Sequence, residues 1–186
     1  MIKTGPRRLI AWGCSFTWGE GLDRAQPGWG DQASPGAWPQ LVADGMGLPV
    51  KNLAQPGASN LWIADQIMNY SFEPGDLVLI MWTWPHRTTQ GLKDLKPRHI
   101  LANTRTELFE HWQRVYTEDD ILRQDRILQW AAEQQLESQN ISVLSLQVLD
   151  ATSAWNDLPL ALDHSHPGPQ WHVRIADQIM HSLATK

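Results

Sequence analysis

A serine, an aspartate and a histidine in this sequence are the residue types of a catalytic triad. Ser15 lies in the Gly-rich stretch WGCSFTWGEGL at residues 12–22, directly after a short apolar run. Asp163 and His166 lie in LDHSHPGPQW at 162–171, and their spacing lets the carboxylate reach the near ring nitrogen of the histidine. The far ring nitrogen would then take a proton from a serine hydroxyl, which is inert without a base. The pattern favours acyl transfer by Ser15, and the alternative is a polar turn and a polar loop that precedes a helix.

Strands and helices are predicted to alternate along the chain. The predicted strands are Arg8–Trp12, Val50–Ala54, Asp76–Trp82 and Ile141–Leu146. The predicted helices are Trp38–Met46, 61–70 after a cap by Ser59 or Asn60, 118–139 after a cap by Thr117 with Asp120, and about Pro169–Ala184. Residues 23–37 are predicted to form a surface loop, and the least regular segment is 85–117, with a helical pattern at 106–116.

The segment Asp76–Trp82 is almost entirely apolar, which is typical of a strand buried on both faces of a parallel sheet. Strands separated by helices imply right-handed crossovers with helices on both faces. The predicted fold is therefore a three-layer α/β/α sandwich with a central parallel sheet, of the flavodoxin-like kind. Ligands of such sheets bind beyond the carboxyl ends of the strands, where the loops 13–21, 55–60 and 83–88 are expected.

The composition limits the class of protein. A chain of 186 residues predicts one domain over 1–186, and a net charge of -5 argues against nucleic acid as the main partner. No apolar run approaches the roughly 20 residues of a membrane span. The single cysteine and the lack of a leader-like apolar segment predict a cytoplasmic protein, whose oligomeric state stays open. The 11 tryptophans predict a large aromatic core or a ligand cleft that several of them line.

Three short blocks of the sequence carry its candidate catalytic residues, and their order along the chain matches that of a known family. They are Gly13–Ser15 with the run Phe16–Gly19, then Asn52–Asn60, then Asp163–Pro167. In these blocks, and in their order along an α/β chain, the sequence resembles the SGNH/GDSL hydrolase family. The blocks together span nearly the whole chain, and the resemblance implies the SGNH hydrolase fold and a serine esterase activity.

The resemblance also implies a role for each matching residue. Ser15 takes the place of the family's nucleophile, and its backbone N–H is one donor to the oxyanion. Gly57 takes the place of the family's glycine, whose backbone N–H is a second donor. Asp163 and His166 take the places of the aspartate and the histidine base. Such donors stabilise the oxyanion, each by about 3 kcal/mol.

The third block of the family, Gly-x-Asn-Asp, is missing. The matching stretch is IMWTWPHRT at 80–88, which has neither Gly nor Asn. The family's asparagine is the third oxyanion donor, so another donor has to replace it. The candidates are the hydroxyl of Thr83, the indole N–H of Trp82 or Trp84, and the amide of Asn60. Thr83 is preferred because a residue just past the end of a strand faces the cleft, whereas Asn60 also looks like a helix cap.

The remaining polar residues receive weaker interpretations. His86 and Arg87 suit the recognition of an anionic or carbonyl group, with Trp82 and Trp84 as further substrate contacts, and the alternative is a solvated pair in a loop. His164 is expected to face solvent, and His172 to be a surface or core histidine. Cys14 is expected to pack in the core. No metal and no cofactor are expected, because a five-residue loop rarely brings three ligands together.

The sequence thus predicts a serine esterase that acts on small esters, such as acetylated sugars or short acyl esters. The alternative is a binding module on the same scaffold whose triad is vestigial, because the Gly-x-Asn-Asp block is absent. A nucleotide binder is disfavoured, since the first loop has neither Gly-x-x-x-x-Gly-Lys-Ser/Thr nor Gly-x-Gly-x-x-Gly.

Overall fold

The structure is a computed structural model, and it describes residues 5–23, 32–90, 98–100, 115–148 and 157–185. Most of the helix predicted at 106–116 lies outside the described residues, as does part of the loop predicted at 23–37. None of the described helices is both long enough and apolar enough to cross a membrane.

Four parallel strands form the central sheet: β1 (Arg8–Trp12), β2 (Val50–Asn52), β3 (Asp76–Trp82) and β6 (Ser142–Gln147). Their order across the sheet is β2–β1–β3–β6. The pairs β1–β2, β1–β3 and β3–β6 are all parallel. Every residue of β3 is buried, as expected of a central strand that both helical layers cover.

Two strands differ from their predicted ends for local reasons. Strand β2 ends at Asn52 because the side-chain oxygen of Asn52 accepts a hydrogen bond from the N–H of Ala54, 3.1 Å away, which turns the chain. Strand β6 begins one residue later than predicted, because the N–H of Ile141 still donates to Leu136 at the end of the preceding helix. The predictions for β1 and β3 are confirmed at both ends.

Five helices flank the sheet in the described part of the chain. They are α1 (Ser15–Trp18), α2 (Trp38–Met46), α3 (Asn60–Met68), α4 (Glu118–Ser138) and α5 (Pro169–Ala184). Ser59 caps α3 through its side chain. Thr117 and Asp120 form the reciprocal cap predicted for α4. Helix α2 packs on α5, and α3 packs on α4. The strand order places these pairs on opposite faces, since right-handed crossovers from β1 to β2 and from β2 to β3 run in opposite directions.

Three short elements were not predicted. Helix α1 has four residues, and the sequence suggested only a turn there. Strands β4 (Thr88–Gln90) and β5 (Arg98–Ile100) form a small antiparallel pair within the segment 85–117. Three residues are too few for a hydrophobic period to show in a sequence. The predicted three-layer α/β/α sandwich itself is confirmed.

Candidate active site

Ser15 is the first residue of α1, at the carboxyl end of β1. The turn needs a glycine at position 13, because the side chain of Thr17 packs on its backbone and a Cβ there would lie 2.0 Å from Thr17 Oγ1. Gly19 ends the helix in the left-handed region with φ of 82°. Ser15 is 4% exposed, and its N–H donates no hydrogen bond to any described residue. The structure therefore places a serine with a free backbone N–H at the end of the first strand.

The loop after β2 is tied to the Ser15 turn. The side-chain amide of Asn52 donates to the carbonyl of Thr17 at 2.7 Å, and the N–H of Gln55 donates to the carbonyl of Gly13 at 3.1 Å. Gly57 follows with φ of 77°, a conformation that favours glycine. Its N–H donates to none of the described residues. Ser15 and Gly57, whose N–H groups have no partner among the described residues, thus lie in loops that are tied together.

Asp163 and His166 form the hydrogen bond that their spacing predicts. Asp163 Oδ2 lies 2.6 Å from His166 Nδ1, and Asp163 Oδ1 accepts the N–H groups of Ser165 and His166, each at 3.0 Å. Burial alone would raise the pKa of Asp163, but the hydrogen bonds from Ser165 and His166 outweigh it and hold the pKa below its ordinary value. An ionised Asp163 accepts a hydrogen bond from Nδ1–H, which leaves Nε2 as the nitrogen that can act as a base.

The loop with the histidine packs against the turn with the serine. The ring of Phe16, the residue after Ser15, meets the ring of His166 edge to face at 5.8 Å between centroids. The N–H of Leu162 donates to the carbonyl of Gly21 at 3.0 Å. The two loops are neighbours, but among the described residues Ser15 and His166 are not joined by a hydrogen bond.

Glu20 occupies the free side of the histidine ring, and the sequence analysis missed it. Glu20 Oε2 lies 3.4 Å from His166 Nε2, and the Glu20 side chain is only 15% exposed. Burial is the main cause that raises the pKa of Glu20, and Asp163 adds to it, whereas His166 and Arg87 act against it. A neutral Nε2 and an ionised carboxylate both accept hydrogen bonds. Their contact therefore implies a proton on one of them.

A signal for Glu20 was present in the sequence. Glu20 stands between Gly19 and Gly21 in the same loop as Ser15, and both glycines adopt positive φ angles, of 82° and 83°. An acidic residue between two such glycines lies on a tight turn, where the chain reverses its direction close to Ser15. Pattern alone cannot show whether its side chain points inward, because that depends on the loop of Asp163 that covers it.

The side-chain amide of Asn60 holds the backbone just after the end of β3. Asn60 Nδ2 donates to the carbonyl of Thr83 at 2.9 Å and to Asp125 Oδ1 at 2.6 Å, and its Oδ1 accepts the N–H of Thr83 at 2.7 Å. Both amide hydrogens are therefore used, and Asn60 has no donor to spare for an oxyanion. The hydroxyl of Thr83 is buried and has no hydrogen-bond partner among the described residues.

The predicted substrate contacts separate into two groups. Trp82 is fully buried, and its Nε1 donates to Glu133 at 3.3 Å, so it belongs to the core and, contrary to expectation, offers neither a substrate contact nor an N–H to an oxyanion. Trp84 is partly buried, and the guanidinium carbon of Arg87 lies 4.3 Å from its ring centroid. His86 Nε2 lies 2.7 Å from a carboxylate oxygen of Glu118. Trp84 and Arg87 remain beside the candidate site.

The other polar residues lie as follows. His164 is exposed, as expected, and Cys14 is buried in the core. His172 is a core histidine whose Nδ1 accepts the N–H of Trp38 at 3.1 Å, and burial lowers its pKa to about 3. No group of three or more His, Cys, Asp and Glu residues among the described positions is arranged to hold a metal ion.

Comparisons with known proteins give structural likenesses only. No protein-family model matches the sequence, and no curated protein matches it. A carbohydrate esterase with catalytic and non-catalytic binding functions is similar at 14% identity and a TM-score of 0.49, over 100% of this chain and 67% of that one. A lipolytic protein of the GDSL family from Veillonella parvula is similar at 14% identity and a TM-score of 0.45, over 94% and 97% of the two chains. An acetylxylan esterase from Geobacillus stearothermophilus is similar at 15% identity and a TM-score of 0.47, over 97% and 95%.

We predict that Gly21→Ala displaces the carboxylate of Asp163. A Cβ on Gly21 would lie 2.5–2.7 Å from the three carboxyl atoms of Asp163, and φ of 83° is unfavourable for alanine. The thermal midpoint should fall, and the pH at which acid unfolds the protein should rise, because the hydrogen bonds that lower the pKa of Asp163 would be lost. Thermal melts between pH 3 and 7 measure both effects. Gly47→Ala is the matched control, since its φ is 65° but a Cβ there meets nothing within 4 Å. An equal acid shift in both variants would contradict the prediction.

We predict that Glu20→Gln stabilises the protein at neutral and higher pH. A carboxyl whose pKa is raised by folding stabilises the folded state only while it is protonated, and that contribution is lost as the pH rises through the folded-state pKa. Glutamine is neutral at every pH, so the thermal midpoint of the variant should exceed that of the parent at pH 8, and the difference should vanish in acid. Differential scanning calorimetry at several pH values measures this. A difference that grows in acid would show that the sign is wrong.

Proposed function

We propose that the protein is a serine esterase with Ser15 as nucleophile, His166 as base and Asp163 as the residue that orients the base. The observation that carries the proposal is the hydrogen bond of 2.6 Å between Asp163 Oδ2 and His166 Nδ1, in a loop packed against the turn of Ser15. This arrangement fixes one tautomer of the imidazole and leaves its second nitrogen for proton transfer.

The chemistry follows from these roles. Ser15 Oγ attacks the ester carbonyl carbon while His166 Nε2 takes the hydroxyl proton, and a tetrahedral intermediate forms. The N–H groups of Ser15 and Gly57 stabilise its oxyanion. The intermediate then expels the alkoxide, which takes the proton from Nε2 and leaves as the alcohol. Water repeats the sequence on the acyl-enzyme and releases the acid, with Ser15 restored.

The resting contact between Glu20 and His166 fits this scheme if it opens when substrate binds. His166 Nε2 must give up the contact at 3.4 Å with Glu20 and turn to Ser15 Oγ. Catalytic hydrogen bonds are often long or misaligned before substrate binds.

Small esters are the proposed substrates, either acetylated sugars or short acyl esters. The position of Trp84 supports this choice, since its partly buried ring meets that of Phe16, the residue after Ser15, edge to face at 5.3 Å between ring centroids. Aromatic faces pack well on apolar acyl chains and on sugar rings. The proposed oxyanion hole has two backbone donors, and a third donor would come from the hydroxyl of Thr83.

A binding module without turnover is the second candidate. Two observations favour it: the stretch at 80–88 supplies no asparagine, and Glu20 rather than Ser15 lies next to the base. Binding of acetylated sugars in calorimetry, without hydrolysis of any of them, would support this candidate.

We predict that Ser15→Ala abolishes hydrolysis of 4-nitrophenyl acetate and labelling by a fluorophosphonate probe. His166→Ala should slow hydrolysis by several orders of magnitude, because no other group takes the serine proton. His164→Ala is the matched control, since His164 is exposed and two residues away, and it should slow the reaction far less. Stopped-assay rates and peptide mapping of the labelled protein measure these effects. Unchanged turnover in Ser15→Ala, or equal losses in the two histidine variants, would rule out this triad.

We predict that Thr83→Val slows acylation about tenfold to a thousandfold, with little change in substrate binding. Valine keeps the shape of threonine and removes a buried hydroxyl that has no partner among the described residues. Asn60→Ala is the comparison, because it removes an amide that holds the backbone of Thr83, so it should also lower the thermal midpoint. Single-turnover kinetics separate acylation from binding. If neither variant slows the reaction, the oxyanion hole works with two donors.

A further inference from the structure

A cavity of about 280 Å³ lies next to the candidate active site. Six of the residues that line it are Asn60, Leu61, Arg87, Ile121, Asp125 and Leu128, from α3, the loop after β3, and α4. Its volume is near the lower limit of about 300 Å³ for small-molecule sites, so it suits a small group rather than a polymer. Asn60 forms part of its wall and also holds the backbone of Thr83 on the other side. The cavity therefore borders the place where the ester carbonyl would bind.

Arg87 brings an unsatisfied cation to this cavity. Its Nη1 is buried and has no hydrogen-bond partner, and it forms no ion pair with a carboxylate within the described residues. The ring of Trp84 supports the guanidinium group from one side at 4.3 Å. A buried donor without a partner is costly. A bound acceptor would remove that cost.

The carboxylate of Asp125, in the same wall of the cavity, already accepts a hydrogen bond at each of its two oxygens. Asp125 Oδ1 accepts from Asn60 and Asp125 Oδ2 accepts from Gln129, each at 2.6 Å. Burial is the main cause that raises the pKa of Asp125. His86, in the same loop as Arg87, is paired with Glu118. Of the charged groups around the cavity that the structure describes, Arg87 is thus the one with donors still to satisfy.

We propose that this cavity binds a carboxylate group carried by the ester substrate, with Arg87 as the residue that recognises it. The proposal rests on the proposed esterase function, which it narrows to esters that carry a carboxylate on the acyl or the alcohol part. A guanidinium group forms strong charge-assisted hydrogen bonds to a carboxylate, and its stacking on Trp84 fixes its orientation beforehand. The apolar wall, with Leu61, Ile121 and Leu128, packs against the chain that links the carboxylate to the ester.

The kinetic test compares pairs of esters that differ in charge. On the acyl side the pair is 4-nitrophenyl hemiglutarate and 4-nitrophenyl pentanoate, and on the alcohol side it is 4-acetoxybenzoate and 4-methylphenyl acetate. We expect Arg87→Gln to lower the kcat/KM ratio of charged to neutral ester by at least about tenfold in one of the two pairs. The pair that responds identifies whether the recognised carboxylate belongs to the acyl part or to the alcohol part of the ester. Arg126→Gln is the matched control, since it removes the same charge from an exposed position of α4 outside the cavity, and it should leave both ratios unchanged. Hydrolysis with both ratios unaffected by Arg87→Gln, or equally affected by Arg126→Gln, would overturn the proposal.

A binding measurement separates this proposal from the proposed function. Titration calorimetry of the protein with glutarate, and with glutaramide as its neutral counterpart, needs no turnover. Glutarate should bind to the parent protein and to Ser15→Ala, and its affinity should fall at least about tenfold in Arg87→Gln. If no ester is hydrolysed but glutarate binds through Arg87, the esterase function fails and the anion site stands. If glutarate and glutaramide bind alike, or neither binds, the anion site is refuted whether or not esters are hydrolysed.

Discussion

The carboxylate of Asp163 is the group on which the arrangement of the site depends. Its side chain is 3% exposed, so its charge needs partners inside the protein. Two backbone N–H groups and the ring of His166 provide them, and this is possible only because the chain reverses sharply over four residues, with His164 at φ of 56°. The charge therefore sets both the shape of the loop and the tautomer of the histidine.

Two glycines allow this loop to close against the rest of the protein. Gly21 lies against the carboxyl group of Asp163, where a Cβ would be less than 3 Å away. Gly168, at the other end of the loop, would bring a Cβ to 2.3 Å from the carbonyl oxygen of Pro159. The loop is thus held on both sides by backbone that has no side chain. The glycine on the serine side belongs to the same turn as Ser15, so the two loops cannot shift independently.

The sequence predicts the strands and helix caps around this site better than the side-chain contacts inside it. The ends of β1 and β3 and the caps at Ser59 and Thr117 follow from apolar runs and polar capping residues, which act over a few neighbours. The hydrogen bond between Asp163 and His166 is also local, since the two residues are three positions apart. Long-range contacts decided the rest. Which side chain faces His166 Nε2, and whether Trp82 faces the cleft or the core, depends on elements far along the chain.

The charges around His166 are linked, and the two carboxylates beside its ring have different effects on it. The lowered pKa of Asp163 favours its ionised form and a proton on Nδ1, whereas the raised pKa of Glu20 favours a protonated carboxyl group beside Nε2. Arg87 lowers the pKa of Glu20. A substrate carboxylate bound at Arg87 would cancel part of that effect and raise the pKa of Glu20 further. Glu20 would then keep the shared proton, and His166 would be left neutral, which is the form that a base requires. Recognition of an anionic group would in this way prepare His166 for its proposed role as a base.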